Sequence, residues 1–447
     1  MSKWTVDAYL KYPIAAALVA LIGVLGFGVE QSDFLEMGLC FTLFFGLFLF
    51  VYQGLQKQST VLFFIALGIV LRLILLFSLP NLSDDIYRFV WDGRLIIHGY
   101  NPFDQLPTYY LEKGIVIPGI DQSLFDALNS PEYFTVYPPI CQAIFALASW
   151  VFPSSLEGAT LVMKGIFLCF ESGSILLIYK LLQHFQIPLK RVLLYAINPM
   201  IILELLGNLH FETAMIFFLL LAFWLLIRDK PWLSAIAMAF AIAAKLLPLM
   251  FLPLLIRRLG WAKSFRYFTL LGLCLIVLFF PLLNNVLVSN LGESLGLYFQ
   301  KFEFNASLYY LARWIGYQLS GYNMIAKFGP ALALIVLFGI LLMAFREKNL
   351  SWPSLAEKMM FGLCLFLFCS TTVMPWYVST VVALSIFTTW RFPVFWSGLI
   401  MLTYINYSYT PYHENLWIVA LEYVLLVSFI GKEWNDQKIK YNLSPEG

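Results

Sequence analysis

The sequence predicts an all-α fold, a polytopic helical bundle in a membrane, and three observations carry that expectation. Hydrophobic residues make up 61% of the 447 positions, charged residues only 12%, and the mean hydropathy is +0.81. A soluble globule would be about half apolar and about one-quarter charged. Apolar stretches recur from end to end, and at about 20 residues per crossing the length holds about 12 spans. No low-complexity tract or long polar linker divides them, so residues 1–447 read as one integral membrane domain. A single-span receptor and a lipid-anchored soluble enzyme are thereby excluded. The net charge of +2 has no extended basic run behind it, so no nucleic-acid partner is expected.

Spans are expected at 14–28, 34–53, 61–79, 160–182, 191–206, 211–228, 266–287, 329–345, 355–372, 376–390, 393–409 and 415–431. The first is followed at once by others, so no cleaved signal peptide is expected. Six cysteines, at 40, 141, 169, 274, 364 and 369, lie almost wholly in apolar segments without CxxC pairs and read as packing residues.

Lys3, Lys11 and Lys57 orient the first three spans in-to-out, out-to-in and in-to-out. Both termini then lie in the cytoplasm, and residues 80–135 form a large first outer loop with eight acidic and three basic side chains. Three apolar stretches fit less simply. If 136–152, 232–256 and 307–320 all crossed, Arg346, Lys348, Lys432, Lys438 and Lys440 would fall outside, against the positive-inside rule. We therefore read 307–320, with Arg313 and Gln318, as a surface helix and the other two as re-entrant. Lys245 near the middle of 232–256, with Pro248 and Pro253, suits a helix interrupted at a cavity. This version puts Glu204 to Glu212 outside; full crossing of both segments would put that stretch inside.

The outer loop opens on Ser83-Asp84-Asp85-Ile86-Tyr87-Arg88-Phe89-Val90-Trp91-Asp92-Gly93-Arg94 and continues to Gly99-Tyr100-Asn101-Pro102-Phe103. Ser83 resembles a helix N-cap. A helix starting there lines up Asp85, Arg88 and Asp92 in one stripe. A carboxylate beside a cation stays ionised at a low-dielectric boundary and can serve as general base to a hydroxyl. The plainer reading is a cap with ordinary ion pairs on a solvated face. Tyr87, Trp91 and the neighbouring aromatics suit a headgroup belt or a platform for sugar rings.

A second cluster, Glu204-Leu205-Leu206-Gly207-Asn208-Leu209-His210-Phe211-Glu212, sets four polar groups between two spans, where phosphate, sugar or proton binding competes with a structural role. His210 and Glu212 match no zinc signature, and no metal site is expected. Lys245 is the clearest intramembrane charge; a lipid phosphate is one natural partner, and Glu171 or Glu204 the structural alternative. Arg72, inside the third span, poses the same question. In a third constellation, Phe302-Glu303-Phe304-Asn305 preceded by Lys301 and followed by Arg313, polar and aromatic side chains alternate as carbohydrate contacts or as an interfacial segment. Pro375-Trp376-Tyr377 and Tyr412-His413-Glu414-Asn415 mark two more outer-facing ends, which could simply anchor the bundle at the headgroups.

The run SDDIYRFVWDGRLIIHGYNPF resembles the first-loop motif of bacterial GT-C glycosyltransferases of the polyprenyl-phosphate-mannose-dependent mannosyltransferase type. The similarity extends, less specifically, over TVYPPICQ, INPMIILELLGNLHFE, AKLLPLMFLPLLIRRLGW, FEFNASLYYLAR and PWY. Relatives often have a histidine before PWY where this chain has Met374, so no role of that histidine carries over. The resemblance implies a GT-C-like bundle in the cell's inner (plasma) membrane, with its active site on the extracytoplasmic side. It also implies a polyprenyl-phosphate sugar donor, a lipid or glycan acceptor, inversion, and Asp84 or Asp85 as the base. Arg88, Arg94, Lys245, Arg313 and His210 are then candidates for the donor phosphate. Tyr87, Trp91, Asp92, Asn101, Asn208, Glu212, Glu303, Asn305 and Trp376 are candidates for sugar or acceptor. No cofactor and no obligate metal are expected. The alternative is a flippase or transporter of lipid-linked sugars, although no internal repeat supports it; an enzyme using a diphosphate-linked donor differs only in the leaving group.

Overall fold

A computed structural model describes residues 6, 9–300 and 302–442; Lys3 and Lys301 lie outside the described residues. Among the described residues the regular structure is helical, with two isolated bridges and no strand. Six helices are long and apolar enough to cross a membrane: Phe34–Gly54, Gln58–Leu75, Leu156–His184, Trp261–Leu282, Ile325–Arg346 and Trp352–Cys369. Pro199–Gly207 and Glu212–Ile227, bent by 110° at their break, are together apolar enough for either a broken span or a re-entrant loop. Helix Lys11–Phe27, at 17 residues, and Leu416–Asn442, at 27, account for two further expected spans.

The polytopic bundle stands, but the expected spans are less regular than hydropathy suggests. Segment 191–206 is divided among Leu189–Val192, Leu193–Ala196 and a stretch opened by Pro199. Segments 376–390 and 393–409 become Val378–Ser385 and Phe392–Leu399, flanked by the 3-10 turns Pro375–Tyr377 and Ile400–Ser408. Hydropathy reports burial, whereas helix continuity depends on backbone hydrogen bonds that proline and polar side chains interrupt. The three awkward segments are Pro139–Val151, Pro231–Ala244 with a break at Lys245, and Leu308–Ser320. The last exposes Leu311, Trp314 and Leu319.

One continuous apolar core runs through the bundle. Two of the long helices, Trp261–Leu282 and Ile325–Arg346, have only 17% and 22% of their apolar windows buried and present the rest outward. Of the cysteines, 141, 364 and 369 are buried as expected, whereas Cys40 and Cys274 are half-buried and Cys169 is exposed, because an apolar residue on a lipid-facing helix needs no core.

Arg72 and Glu171 form a fully buried pair at 2.8 Å. Arg72 also donates to the carbonyls of Gly68 and Ala196, at 3.0 and 2.6 Å, while Tyr195 donates to Glu171 at 2.6 Å. Both charged side chains of this low-dielectric cluster are therefore paired and hydrogen-bonded.

Close helix packing fixes the start of the acidic loop. Helix Asp85–Ile97 lies on Pro139–Val151 with Gly93 against the Phe145 carbonyl and the Ser149 hydroxyl, leaving no room for a methyl group. Gly93→Ala is expected to force the two helices apart and to cost about 1–3 kcal/mol. Thermal unfolding of the purified variant measures this; an unchanged transition would refute the packing role.

Candidate active site

Asp84, rather than Ser83, occupies the N-cap position of helix Asp85–Ile97, and neither side chain caps it. The Ser83 hydroxyl instead accepts from the Asp85 N–H at 3.4 Å. Arg88 does not pair with Asp85. Its Nε donates to Asp92 at 2.8 Å, and the guanidinium also donates to the carbonyls of Ser130 and Tyr133, at 3.2 and 2.9 Å. Gln142 donates to the other Asp92 oxygen at 3.0 Å. The Arg88–Asp92 pair therefore folds the loop onto the helix. Asp85 accepts from Asn129 at 2.9 Å and faces a cavity.

The cavity has a volume of about 460 Å³. Asp85, Tyr137, His210, Glu212, Lys245, Trp376, Tyr377 and the stretch Ser370-Thr371-Thr372 gather its polar and aromatic side chains. Leu246, Leu247, Leu249, Met250, Val336, Phe366 and Leu367 line the remainder. Six of the lining residues, including Met250, Val336 and Phe366, also line a second, mostly apolar cavity of about 270 Å³ that reaches helix Ile325–Arg346.

Four aromatic rings hold the acidic helix beside the bent pair of helices. Phe89 stacks on Phe145 at 4.5 Å and meets Tyr137 and Phe211 edge-on, at 5.0 and 5.6 Å. The bend itself is built from a π turn over Ile202–Gly207 and a buried Leu209 with φ of 60°. A β-carbon disfavours that conformation, and such strain persists where the surrounding structure over-determines it. The result places His210 and Glu212 in the wall of the cavity that Asp85 also lines. It also sets Asn208 beside the loop, with the Leu82 N–H donating to its side-chain oxygen at 3.4 Å. The Glu204–Glu212 stretch and the acidic loop thus share one end of the bundle.

Lys245 sits where helix Pro231–Ala244 ends, before the 3-10 turn Leu247–Phe251. Its partner is Glu212, not Glu171 or Glu204, and its ammonium lies 4.3 Å from the Tyr377 ring centroid. Glu171 is taken by Arg72 and Glu204 by the group around His210. Lys245 retains 31% side-chain exposure, so the pair reaches the cavity rather than being sealed off.

The other expected site residues are placed elsewhere. Arg94 donates to the carbonyls of Gly119 and Pro153, and Asn101 to Leu282. Trp91 is fully buried, packed against Tyr110 and Phe125, leaving no ring face for a sugar. Tyr87 is half-buried against the core and Asp92 fully buried; neither lines the cavity. Arg313 pairs with Glu303 and lies 4.2 Å from the Tyr310 ring centroid, while Tyr309 and Asn323 also donate to Glu303. Asn305 is buried; its N–H donates to Glu414 and its amide to Glu422. Phe304 exchanges backbone bonds with Thr371 and Val373, so this group braces the cavity wall from behind.

Sequence reading did not single out Tyr137, Ser370, Thr371 and Thr372, which line the cavity, or Tyr404, which donates to Glu204 at 2.7 Å. Tyr137 lies in the quoted TVYPP motif; the others carry no local signal. No group of three or more His, Cys, Asp or Glu side chains placed to hold a metal ion occurs among the described residues.

Acidic, basic and aromatic side chains thus converge on one cavity of a helical membrane bundle. Residues 35–263, just over half of the chain, match the family model for the alpha-(1->6)-mannopyranosyltransferase N-terminal domain, and the chain belongs to that family. The match contains Asp84, Asp85, His210, Glu212 and Lys245 and ends before Trp376 and Tyr377. No curated protein and no solved structure matches the chain.

Proposed function

We propose that this membrane mannosyltransferase is a GT-C enzyme using a polyprenyl-phosphate-linked sugar, with inversion, to glycosylate an acceptor hydroxyl on a lipid or glycan. In this reading it lies in the cell's inner (plasma) membrane, works at the extracytoplasmic face and keeps both termini in the cytoplasm. The observation that carries the reading is the cavity: a carboxylate and a lysine share it with an apolar wall that continues toward helix Ile325–Arg346. Such a shape suits a headgroup bearing phosphate and sugar on a hydrocarbon tail. The family name supplies the sugar and suggests an alpha-(1->6) linkage.

Asp85 is the proposed base, since it faces the cavity whereas Asp84 is exposed beside it. The acceptor hydroxyl gives its proton to Asp85 as its oxygen bonds to the anomeric carbon. The bond from that carbon to the phosphate oxygen breaks, and its electron pair stays on the phosphate. Lys245 and His210 are proposed to face that developing charge, which preorganised donors in a low-dielectric site stabilise strongly. These side chains can serve a monophosphate leaving group without a metal ion. Transfer by the purified enzyme is accordingly expected to survive excess chelator; loss of turnover that added divalent cation restores would refute the metal-free reading. The deciding experiment is single replacement of Asp84 and Asp85 by asparagine, assayed with polyprenyl-phosphate mannose, with retained transfer in both variants refuting the base assignment.

A further inference from the structure

His210 is 3% exposed and lines the cavity, yet its Nε2 has no hydrogen-bond partner. Its other nitrogen is fully engaged. Nδ1 lies 2.8 Å from the Glu204 main-chain carbonyl and 3.2 Å from the Glu204 carboxylate. A carbonyl can only accept, so Nδ1 carries a proton in every protonation state. Nε2 is thus the unpartnered end of the ring, buried in the wall of the cavity.

The surroundings of Glu204 show how the ring is held. Glu204 is fully buried. Tyr404 donates to one of its oxygens at 2.7 Å, and Asn208 to the other at 3.3 Å. Both of those donors are neutral. Among the described residues His210 is the one basic side chain within ion-pair distance of Glu204, and it carries a charge only when protonated. A carboxylate buried in apolar surroundings needs a positive partner, and an imidazolium supplies it. The opposite face of the ring gives an independent indication: Trp376 stacks on it at 3.6 Å with the planes 15° apart, an arrangement that favours a cation over the indole. The other charged groups lining the cavity are Asp85 and the Glu212–Lys245 pair. Lys245 is largely offset by Glu212, so an anion entering this space needs a further positive donor.

We infer that Glu204 is a positioning residue that holds His210 as an imidazolium, clamped on Trp376, so that its Nε2–H donates to a phosphate oxygen of the lipid-linked donor. The inference rests on the proposed phosphate-linked donor and assigns its headgroup a built anion site. His210 touches substrate in this scheme, whereas Glu204, Tyr404 and Trp376 act through it. As the glycosyl bond to phosphate breaks, the electron pair left on the phosphate oxygen meets a donor already in place, and the proton stays shared between Nε2 and that oxygen.

The test uses the full chain in lipid nanodiscs, with dodecyl phosphate as probe and dodecanol as its uncharged counterpart. Glu204→Gln and His210→Gln are each expected to weaken dodecyl phosphate binding by about 10- to 100-fold, the loss of one charge-assisted hydrogen bond, and to leave dodecanol binding unchanged. The double variant is expected to be no weaker than either single one, because both remove the same interaction. In transfer assays both substitutions are expected to raise the donor KM as well as lower kcat. Independent, additive losses would overturn the inference. So would unchanged phosphate binding with only kcat reduced, since that result would make Nε2 a proton acceptor instead. If Glu204→Gln does not fold, His210→Gln decides the question alone, because unaltered dodecyl phosphate affinity in that variant overturns the anion site. Failure of the wild-type protein to bind dodecyl phosphate removes the phosphate-linked donor and this inference together. Wild-type binding with unaffected variants removes the inference alone.

Discussion

Asp85→Asn is expected to reduce sugar transfer by about 100- to 10,000-fold, the usual worth of a positioned general base. The substitution keeps the size of the side chain and an oxygen able to accept from Asn129, so the loop and helix Asp85–Ile97 should hold their places. What disappears is the ability to take a proton. The donor KM should change little, because Asp85 is assigned to the acceptor hydroxyl rather than the phosphate, and melting behaviour should match the wild type. Asp84→Asn is expected to cost far less. Asp84 is exposed at the N-cap, and its carboxyl is held above the ordinary range by partial desolvation first and the Asp85 charge second. The pair thus separates into a group facing the cavity and one that shapes its field. Steady-state transfer with polyprenyl-phosphate mannose, run for both variants, checks this. Near-normal kcat in Asp85→Asn with collapse in Asp84→Asn would reverse the assignment.

Arg72→Met is expected to destabilise the bundle by about 3–5 kcal/mol, the cost of stranding one member of a buried ion pair. Neither Arg72 nor Glu171 has any solvent-exposed side chain, so solvent cannot compensate for the lost partner. Glu171 would keep Tyr195 but lose both of the bonds that Arg72 donates. The carbonyls of Gly68 and Ala196 would lose a donor as well. The double variant Arg72→Met, Glu171→Gln should recover much of the stability, since the uncompensated charge is then gone. Thermal unfolding in detergent, with the double-mutant cycle completed, measures both effects. A single variant as stable as the wild type would show that the pair bears no weight in the fold.

The same contrast between local and distant information separates what was legible in the sequence. That Asp85 faces a cavity agrees with its selection as a candidate, which was possible because an acidic pair between a span and an aromatic-rich loop is itself a local pattern. The interruption at Lys245 was legible for a similar reason: a charge and two prolines occur within one apolar stretch. The partner of Lys245 was not. Glu212 lies 33 residues away, and its approach depends on the bend at Leu209. Arg88 was expected to serve Asp85 or a phosphate and instead ties Asp92 to the loop, since a side chain at i+4 competes successfully with one at i−3. Trp91 alternates with charges in the sequence, yet faces the core because the amphipathic helix turns that side inward.

Composition and order alone determined that this chain is a helical membrane protein with an acid-rich loop after its early spans, because hydropathy and helical periodicity are summed over neighbouring residues. Only the tertiary structure decided which carboxylates face the cavity, which cations are already satisfied, and that His210 presents an unpartnered nitrogen there. Ion pairs such as Arg72–Glu171, 99 residues apart, form through helix packing and backbone bends, and no local pattern encodes how distant helices meet.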